Sequence, residues 1–457
     1  AVLVMLDLVT AVCIHDKIKH EKPVRAVQQY ASPYRRASSA NVTASIRIQF
    51  DTTTVEQDIG NQVLYQYVKG LLDAAASMLS SAIRVIPIQG NLYVSRDCNY
   101  HWVSGQHVNE CSSIVVDQTC GPWARVSNSQ KDQATVWQFS SGQWKEVTYE
   151  QGTGVKDADL LVYVSAHAGD PTCTTSDTAL AYSGVCQRDQ LDRPVVGYIN
   201  FCTSTLQNRH SSSPSQSDIM TTVHELTHIL GFSRSSFAFF RDENGNPRTP
   251  RCPDAASCGP SDTPGYPPFS VDQNNYIVSD STVQQRQERG LLVSRLVTPT
   301  VRYVSQKHYN CNSLVGAELE NGGGSGTRLS HWEKRVFMNE YMTGNTYPGS
   351  VDIFSSFSLA LLQDSGWYEI NFDAAKHLKW GYMLGCAFAL EKCIQDGKSQ
   401  TPWCKNSQND GLVCTYQRDA LGYCGLDEYS QDLGASYQYF ADPKKGGDDP
   451  LPDYCPF

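Results

Sequence analysis

Residues 217–232 read Ser-Asp-Ile-Met-Thr-Thr-Val-His-Glu-Leu-Thr-His-Ile-Leu-Gly-Phe, and this stretch predicts a helix with a defined start and end. Ser217 or Asp218 can cap the first turn through a side-chain oxygen. Gly231 can end the helix in the left-handed backbone conformation, which glycine adopts at little cost. The sequence therefore predicts a helix of about four turns here.

Two histidines of this helix, His224 and His228, are four residues apart, so both imidazoles project from one face. Two neutral nitrogens placed in this way can bind one Zn²⁺ at about 2.0–2.1 Å each. Glu225 lies beside them, where its carboxylate can take a proton from a zinc-bound water. The spacing His-Glu-x-x-His is typical of zinc hydrolases. An exposed helix with two unrelated histidines is the alternative.

A catalytic zinc also needs a third protein ligand and an open position for water. A histidine three residues after Gly231 would complete a compact pattern, but that position is Arg234, which cannot bind zinc. The residues alone leave five candidates further along the chain, namely His308, Glu318, Glu320, His331 and Glu333.

Several separated motifs carry a resemblance to a known family. His331 lies in Ser-His-Trp-Glu-Lys-Arg (330–335), and Met342 follows eleven residues later. Further motifs are Cys-Ile-His-Asp (13–16), Asn-Leu-Tyr-Val (91–94), Gly-Cys-Ala-Phe (385–388), Tyr-Gln-Tyr-Phe (437–440) and Asp-Tyr-Cys-Pro (453–456). Together with the histidine helix, they resemble the leishmanolysin family of surface zinc metalloproteases over nearly the whole chain.

The resemblance implies that His224, His228 and His331 bind zinc, that Glu225 is the general base, and that Met342 lies in a turn beneath the metal. Without the resemblance, Met342 would be an ordinary core residue. The resemblance also implies a zinc endopeptidase that acts on protein or peptide substrates, with a role in cell adhesion.

The segment between His228 and His331 is long even for a family insertion, and it carries its own Cys252 and Cys258. The run Gly-Gly-Gly-Ser-Gly at 322–326 is consistent with His331 as a ligand, because glycine gives the backbone freedom to return to the helix. Because of this long segment, the resemblance does not fix the shape of the substrate cleft, whereas the zinc site that it implies is unaffected.

The resemblance of residues 13–16 to a pro-segment motif implies that the Cys13 thiolate fills the open zinc position before activation. An ordinary disulfide of Cys13 is the alternative. If Cys13 remains a thiol, fifteen cysteines are left, so one of them, such as Cys455, is expected to pair outside this chain. The pro-segment is expected to be cut between Arg35-Arg36 and Ala44, just before the first core strand.

Apolar patterns predict strands at 45–50, 83–88, 92–94, 159–164, 180–182 and 195–199, and helices at 61–82 and near 283–297. This order suggests a twisted sheet that carries helices. With the resemblance, it predicts an α+β fold: a metzincin-like zincin catalytic domain with a twisted mixed sheet and the active-site helix. By analogy with metzincins, Leu180, Ala181 and Tyr182 are expected to form the sheet edge along which a substrate strand adds.

We expect four regions along the chain. Residues 1–43 are a signal remnant and pro-segment with the cysteine switch, and 44–232 are the N-terminal catalytic subdomain. Residues 233–374 are a large insertion or central subdomain with the third histidine and the Met-turn. Residues 375–457 are a disulfide-rich C-terminal domain, which is expected to be truncated.

Composition limits the function classes. The 457 residues carry a net charge of −10, which gives no electrostatic reason to bind nucleic acid or an anionic membrane. No Gly-x-Ser-x-Gly nucleophile motif is present, so a zinc-independent hydrolase is a weak alternative. An inactive relative that serves in adhesion or binding is the main alternative, but such a relative would usually have lost Glu225 or a ligand.

Sixteen scattered cysteines, with no Cys-x-x-Cys pair, predict disulfides formed in an oxidising compartment rather than a zinc ribbon. Residues 1–12 are read as a secretory signal remnant, with a short buried strand or helix as the alternative. Asn41-Val-Thr43 is the one N-glycosylation sequon. We therefore expect a secreted or cell-surface protein, with membrane contact only through a lipid anchor on a lost C-terminal segment.

Overall fold

The computed structural model describes residues 11–13, 15, 24–30, 43–174, 179–207, 213–253, 263, 265–272, 275–324, 327–347, 350–395, 398–399, 402–405, 412–415 and 421–457. The chain divides into two compact units. The sheet unit comprises Lys19–Leu230 and Trp367–Asn371, and the C-terminal unit comprises Ala1–Ile18, Gly231–Gly366 and Phe372–Phe457. Residues 35–42 of the predicted cut window, Asn41 of the sequon and Cys258 lie outside the described residues. The fourfold functional division stays a prediction.

The α-helices are, in chain order, α1 Thr53–Ile59, α2 Gln62–Ala82, α3 Pro171–Thr174, α4 Thr203–Leu206, α5 Gln216–Leu230, α6 Pro299–Tyr309, α7 Lys334–Phe337, α8 Ser356–Asp364 and α9 Gly385–Leu390. Strands of the first half are β1 Ala11–Val12, β2 Val24–Arg25, β3 Ala44–Ser45, β4 Ile48–Asp51, β5 Ile83–Val85, β6 Cys98–His101, β7 Cys111–Ile114, β8 Thr119–Cys120, β9 Ala124–Arg125, β10 Ala134–Ser140, β11 Gln143–Tyr149, β12 Leu160–Ser165, β13 Ala181–Arg188 and β14 Pro194–Phe201. Those of the second half are β15 Phe269–Ser270, β16 Asn275–Tyr276, β17 Val283–Glu288, β18 Leu291–Leu296, β19 Ala317–Leu319, β20 Asn345–Thr346, β21 Glu369–Ile370, β22 Ile394–Gln395, β23 Lys398–Ser399, β24 Val413–Cys414, β25 Leu421–Gly422, β26 Leu426–Glu428 and β27 Lys445–Gly447. The mixture of helices and short strands confirms an α+β fold.

The core of the sheet unit is a five-stranded mixed sheet with the order β2-β13-β14-β12-β4. Strand β12 pairs in parallel with β4 and β14, whereas β13 runs antiparallel to β14. Every residue of β12 and β14 is buried, as expected for strands covered on both faces. The strands predicted at 159–164 and 195–199 are thus confirmed as central strands.

Helix α2 confirms the helix predicted at 61–82 and packs against α5. The side chain of Asn61 caps its start by accepting hydrogen bonds from the backbone N–H groups of Val63 (2.9 Å) and Leu64 (3.3 Å). One face of α2, which includes Leu71, Leu72 and other buried side chains, faces the core. Helix α5 therefore packs against α2 as well as against strands β13 and β14.

The strand predicted at 45–50 is two strands in different sheets, because the chain turns at Arg47. The Ile46 N–H bonds to Ile83 O in the small sheet β21-β5-β3, whereas Ile48 begins β4 of the large sheet. Arg47 is held by Asp159, which accepts from its Nε and Nη2 at 2.9 Å each. This ion pair fixes the change of direction.

Short hairpins occupy much of residues 98–140, and two disulfides, Cys98–Cys111 and Cys120–Cys186, tie this region. The strand predicted at 92–94 is reduced to isolated bridges at Leu92 and Val94, and the one at 83–88 to Ile83–Val85 with a bridge at Ile88. The prediction of extended backbone there was correct, but the pairing is sparse.

The basic helix predicted near 283–297 is wrong: β17 and β18 form an antiparallel hairpin. Its two-residue turn consists of Arg289 and Gly290, with φ of 45° and 88°. Positive φ at both turn residues matches the twist of a tight hairpin. Helix-favouring Gln, Arg and Glu side chains misled the sequence argument, because cross-strand pairing outweighs weak local propensity.

Three disulfides of the C-terminal unit are Cys311–Cys386, Cys393–Cys455 and Cys404–Cys424. The prediction that Cys455 pairs outside this chain is wrong, because the fold brings it to Cys393. Cys252 is also disulfide-bonded. Among the described residues, no helix combines the length and apolar character that crossing a bilayer requires.

Candidate metal centre

Helix α5 carries the His-Glu-x-x-His motif in the sheet unit. It begins at Gln216, and the hydroxyl of Ser215 accepts from the Asp218 N–H at 3.1 Å, so the cap lies before the predicted Ser217 and Asp218. The helix ends at Leu230. Gly231 follows with φ of 143°, a positive value that favours glycine, although it is far from the left-handed helical value of about 57°.

The two histidines of α5 meet at their Nε2 atoms, which are 3.0 Å apart. Both rings are buried, and they cross at 85°. Two nitrogens bound to a tetrahedral zinc at about 2.0–2.1 Å would be roughly 3.3 Å apart. The pair of His224 and His228 therefore fits a shared metal ion without rearrangement of the helix.

Glu225 is 1% exposed, and a hydroxyl on the neighbouring strand holds it. Ser183 Oγ of β13 lies 2.9 Å from Glu225 Oε2 and 2.8 Å from Glu225 O. A carboxylate oxygen of Glu225 and a ring nitrogen of His228 lie within 4.8 Å of each other. Ser183 was missed by the sequence argument, because nothing in its local sequence distinguishes it from other serines of a strand.

His331 lies in the C-terminal unit between β19 and α7. Its Nδ1 is 2.8 Å from Thr327 O, so Nδ1 carries the proton and Nε2 is the ring atom with a lone pair. Its backbone O accepts from Glu320 N at 2.9 Å. A hydrogen bond from Nδ1 to a backbone carbonyl, such as that from His331 to Thr327 O, commonly orients a metal-binding histidine.

The residues on both sides of His331 contact the segment that directly follows α5, and these contacts lie within the C-terminal unit. Arg234 N donates to Ser330 Oγ at 3.0 Å. The rings of Phe232 and Trp332 pack edge to face, with centroids 4.7 Å apart. The chain after α5 and the chain around His331 thus form one packed structure.

Met342 is fully buried in the turn that follows His331. Its N–H donates to Glu340 Oε2 at 2.6 Å, and its O accepts from Trp332 N at 3.0 Å. Ser355 and Ser358 each donate to Glu340 Oε1 at 2.7 Å. Burial raises the pKa of Glu340 to about 7, so the carboxyl group takes up a proton within the physiological range.

Cys13 lies beside this turn in the C-terminal unit. Its N–H donates to Gly344 O at 3.0 Å, which continues the pairing of β1 with β20. The sulfur of Cys13 and a ring nitrogen of His331 lie within 4.8 Å of each other. The thiol is thus placed beside the predicted third ligand.

The other candidates for the third ligand have structural partners. His308 bonds to Trp380 O at 2.8 Å, and burial lowers its pKa to about 4. Burial alone would raise the pKa of Glu318, but three arginines, Arg289, Arg295 and Arg335, lower it to about 2. Glu320 accepts from the backbone of Gly322 and Lys334, and Glu333 from that of Arg335.

The predicted substrate edge, Leu180 to Tyr182, lies at the start of β13, and its side chains are buried. The Tyr182 hydroxyl donates to Asp170 inside the unit. On the side of β13 that faces away from β14, strand β2 pairs with Gln187 and Arg188. Among the described residues, no strand pairs with Ala181 to Val185 on that side.

A buried pair of histidines with an adjacent glutamate on one helix is typical of metal-dependent hydrolases of the His-Glu-x-x-His class. The family model of leishmanolysin peptidases matches residues 129–244 and 268–457. A leishmanolysin-like peptidase of Caenorhabditis briggsae is 32% identical over 475 residues, which cover 96% of this chain and 69% of that protein. One of Drosophila melanogaster is 34% identical over 85% of this chain and 59% of its own length. A leishmanolysin homolog of Crithidia fasciculata is 30% identical over 67% of this chain and 39% of that protein.

The chain belongs to the leishmanolysin family. It is a metalloendopeptidase that acts on polypeptides, and its family implies a metal cofactor.

Proposed function

We propose that this chain is a zinc endopeptidase in which His224, His228 and His331 bind one Zn²⁺ and Glu225 is the general base. The observation that carries the proposal is the 3.0 Å separation of the two Nε2 atoms on α5, next to a buried carboxylate. Support for His331 comes from its oriented ring and from the contacts of its neighbours with the segment after α5.

When bound, zinc polarises the scissile carbonyl and lowers the pKa of a water molecule towards neutrality. The carboxylate of Glu225 takes the proton of that water and then donates it to the nitrogen of the leaving amine. Ser183 restrains the carboxylate at Oε2, so the proton acceptor stays in place during both transfers. Thr327 O holds the Nδ1 proton of His331 and thereby directs Nε2 to the metal.

We further propose that an extended substrate adds to the sheet along Leu180, Ala181 and Tyr182. Main-chain hydrogen bonds to such an edge bind polypeptides with little dependence on their sequence. Support comes from β13, which along this stretch pairs on one side only with the part of the chain that the structure describes. A metzincin-like arrangement, with Met342 in a turn beneath the metal, belongs to the same proposal.

Latency is also part of the proposal: the thiolate of Cys13 occupies the open zinc position until residues 1–43 are removed. Support comes from the position of the Cys13 sulfur beside His331. We place the protein in the secretory pathway, at the cell surface or outside the cell, because its disulfides need an oxidising compartment. A role in cell adhesion is supported by the family resemblance alone.

The decisive experiment compares the activated chain with its Glu225→Gln variant on an unfolded protein substrate. We expect hydrolysis to fall by roughly 10²–10⁴-fold, because the variant keeps the shape of the side chain but cannot accept the proton. Bound zinc, measured by elemental analysis, should stay at the wild-type level, and chelation should abolish the wild-type activity. Near wild-type hydrolysis by Glu225→Gln would refute the role of the base.

A His331→Ala variant tests the ligand set separately. The variant should lose zinc during dialysis, although helix α5 with His224 and His228 remains folded. Retention of zinc at the wild-type level would exclude His331 as a ligand. The third ligand would then have to be sought among the carboxylates of Glu318, Glu320 and Glu333.

A further inference from the structure

Residues 24–30 of the proposed pro-segment are bound as an extended peptide within the sheet unit. Strand β2, Val24–Arg25, pairs in parallel with Gln187 and Arg188 at the edge of the large sheet. Ala26 N then donates to Arg188 O at 2.7 Å. Addition of a strand to a sheet edge is a common way to bind a peptide, with side-chain pockets that supply specificity.

Gln28 is held at both its backbone and its side chain. Its N–H donates to Gln190 Oε1 at 2.9 Å, and its O accepts from Gln190 Nε2 at 2.7 Å. Its side-chain Nε2 donates to Tyr93 O at 2.8 Å. Gln28 is only 4% exposed, so this amide pair is shielded from competing water.

Arg25 makes the first side-chain contact of the peptide. Its Nη2 lies 2.7 Å from Asp192 Oδ1, and the Asp192 side chain is fully buried. Charge-assisted bonds to a buried carboxylate are stronger than neutral ones. Departure of Arg25 would remove this cation from the buried Asp192 carboxylate, which is unfavourable.

Tyr30 makes the second contact, five residues further along. Its hydroxyl donates to the buried carboxylate of Asp189, and the Arg193 guanidinium lies over its ring at 5.3 Å from the centroid. Ile86, Leu191 and Trp367 complete the wall of this pocket. The pocket thus recognises a phenol by a hydrogen bond, a cation and apolar contacts together.

We infer that residues 24–30 remain bound in this groove after the chain is cut between Arg35-Arg36 and Ala44, so that cleavage and release of the pro-segment are separate steps. We call the site the Arg/Tyr groove, formed by Tyr93, Gln187–Arg193 and Trp367. It takes an extended peptide with an arginine and a tyrosine five residues apart. The inference rests on the proposed latency, but it uses neither Cys13 nor the metal ligands.

The test places a recognition sequence for a site-specific protease between Arg36 and Ala37 of the full chain. The background carries Glu225→Ala and Cys13→Ala, so neither self-digestion nor a thiolate–zinc bond affects the result. After the cut, the sample is diluted to about 1 μM and separated by size exclusion. We expect the severed fragment to elute with the remainder of the chain, as judged by intact mass.

Two variants test the contacts, and a matched third is the control. Tyr30→Ala should weaken retention by at least roughly 30-fold, as expected for a buried aromatic anchor, and Arg25→Ala by about 30-fold, as expected for loss of one partner of a buried charge pair. Val27→Ala should have no effect, because its side chain is 70% exposed. Separation of the wild-type fragment at this dilution would overturn the inference. The inference would also be overturned if the Tyr30→Ala fragment were retained as well as the wild-type fragment, because retention would then come from the pairing of β1 with β20.

A synthetic peptide of residues 22–32 keeps the test decisive if Tyr30→Ala fails to fold. A labelled form should exchange into the cut wild-type protein, and its Tyr→Ala counterpart should not. The inference is overturned if the labelled peptide does not exchange into the cut protein and the severed fragment also separates on dilution. All of these measurements report binding. Lack of hydrolysis by the wild-type protein would therefore contradict the proposed function but would not affect the conclusion about the Arg/Tyr groove.

Discussion

The smallest feature with a functional consequence is one hydroxyl group. Ser183 bonds to the carboxylate of Glu225 from the strand beneath α5, and both residues are almost fully buried. Without this hydrogen bond, the carboxylate would be less restrained, and its ionised form would be less stable because burial removes it from water. Ser183 is therefore a positioning residue for the proposed base.

Replacement of Ser183 by alanine should lower kcat by roughly 10- to 100-fold, as expected for loss of a hydrogen bond to a charged group. The KM value and the zinc content should change little, because neither the substrate edge nor the ligands are altered. Steady-state kinetics with zinc analysis check this, and Ser183→Thr should restore part of kcat.

Ser165→Ala is the matched control. Ser165 is buried on β12, and its hydroxyl donates to Asn200 Oδ1 at 2.7 Å, without contact to Glu225. This variant should lose stability but keep kcat. Equal losses of kcat in both variants would show that Ser183 acts only through folding.

At the scale of elements, the placement of α5 depends on a close approach to β14. A Cβ atom at Gly197 would lie 2.5 Å from Ile229 Cγ2 and 2.9 Å from Gly184 O. Both distances are shorter than side chains tolerate, so only glycine lets the helix pack this closely on the sheet. The distance between α5 and Ser183 follows from this contact.

Gly197→Ala should therefore destabilise the sheet unit by about 1–3 kcal/mol, the usual cost of overpacking. Urea denaturation followed by circular dichroism measures the change. Gly422→Ala is the control, because a Cβ there meets only Thr415 Cγ2 at 3.6 Å. If Gly197→Ala were as stable as the control, the proposed close approach would not limit the packing.

The turn around Met342 depends on the carboxyl group of Glu340, which accepts hydrogen bonds from Met342 N–H and from the hydroxyls of Ser355 and Ser358. Burial raises the pKa of Glu340 to about 7. A raised pKa means that the folded state binds a proton more tightly than the unfolded state does. The stabilising contribution is therefore complete below the unfolded pKa of about 4.3 and is lost as the pH rises through 7.

Glu340→Gln should abolish this pH dependence. Relative to the variant, the wild type should lose about 2–3 kcal/mol of unfolding free energy between pH 5 and pH 8. Denaturation curves of both proteins at the two pH values provide the measurement. Glu146→Gln, an exposed substitution on β11, is the control. Parallel curves for Glu340→Gln and the wild type would contradict the assignment.

At the scale of the whole molecule, disulfides and buried ion pairs join the short helices and strands of the C-terminal unit. Arg289 bonds to Glu318 and to Asp453, all three nearly fully buried. Cys455, next to this cluster, is joined to Cys393 across 62 residues. These links hold the last part of the chain against the hairpin of β17 and β18.

Replacement of Cys393 and Cys455 by serine should cost about 4 kcal/mol, as estimated from the entropy of the open loop. The loop between Cys404 and Cys424 spans 20 residues, so the same replacement there should cost less, about 3 kcal/mol. Thermal unfolding of both variants tests the order. A larger loss for the shorter loop would show that local strain, rather than loop entropy, dominates.

Much of the architecture follows from local patterns. The apolar stripe of α2 and the apolar runs of β12 and β14 can be recognised in the sequence, because side-chain periodicity is set within a few residues. The same local reasoning fails at 283–296, where Gln, Arg and Glu favour a helix but the Arg289-Gly290 turn and cross-strand pairing produce a hairpin.

By itself, the sequence determined the α+β class, the family and the histidine pair of α5, since helical spacing places His224 and His228 on one face whatever surrounds them. The tertiary structure alone decided that Ser183 holds Glu225, that Cys455 pairs with Cys393, and that residues 24–30 lie against the sheet edge. These contacts join residues far apart in the chain. They depend on how complete elements pack, and no local pattern encodes that packing.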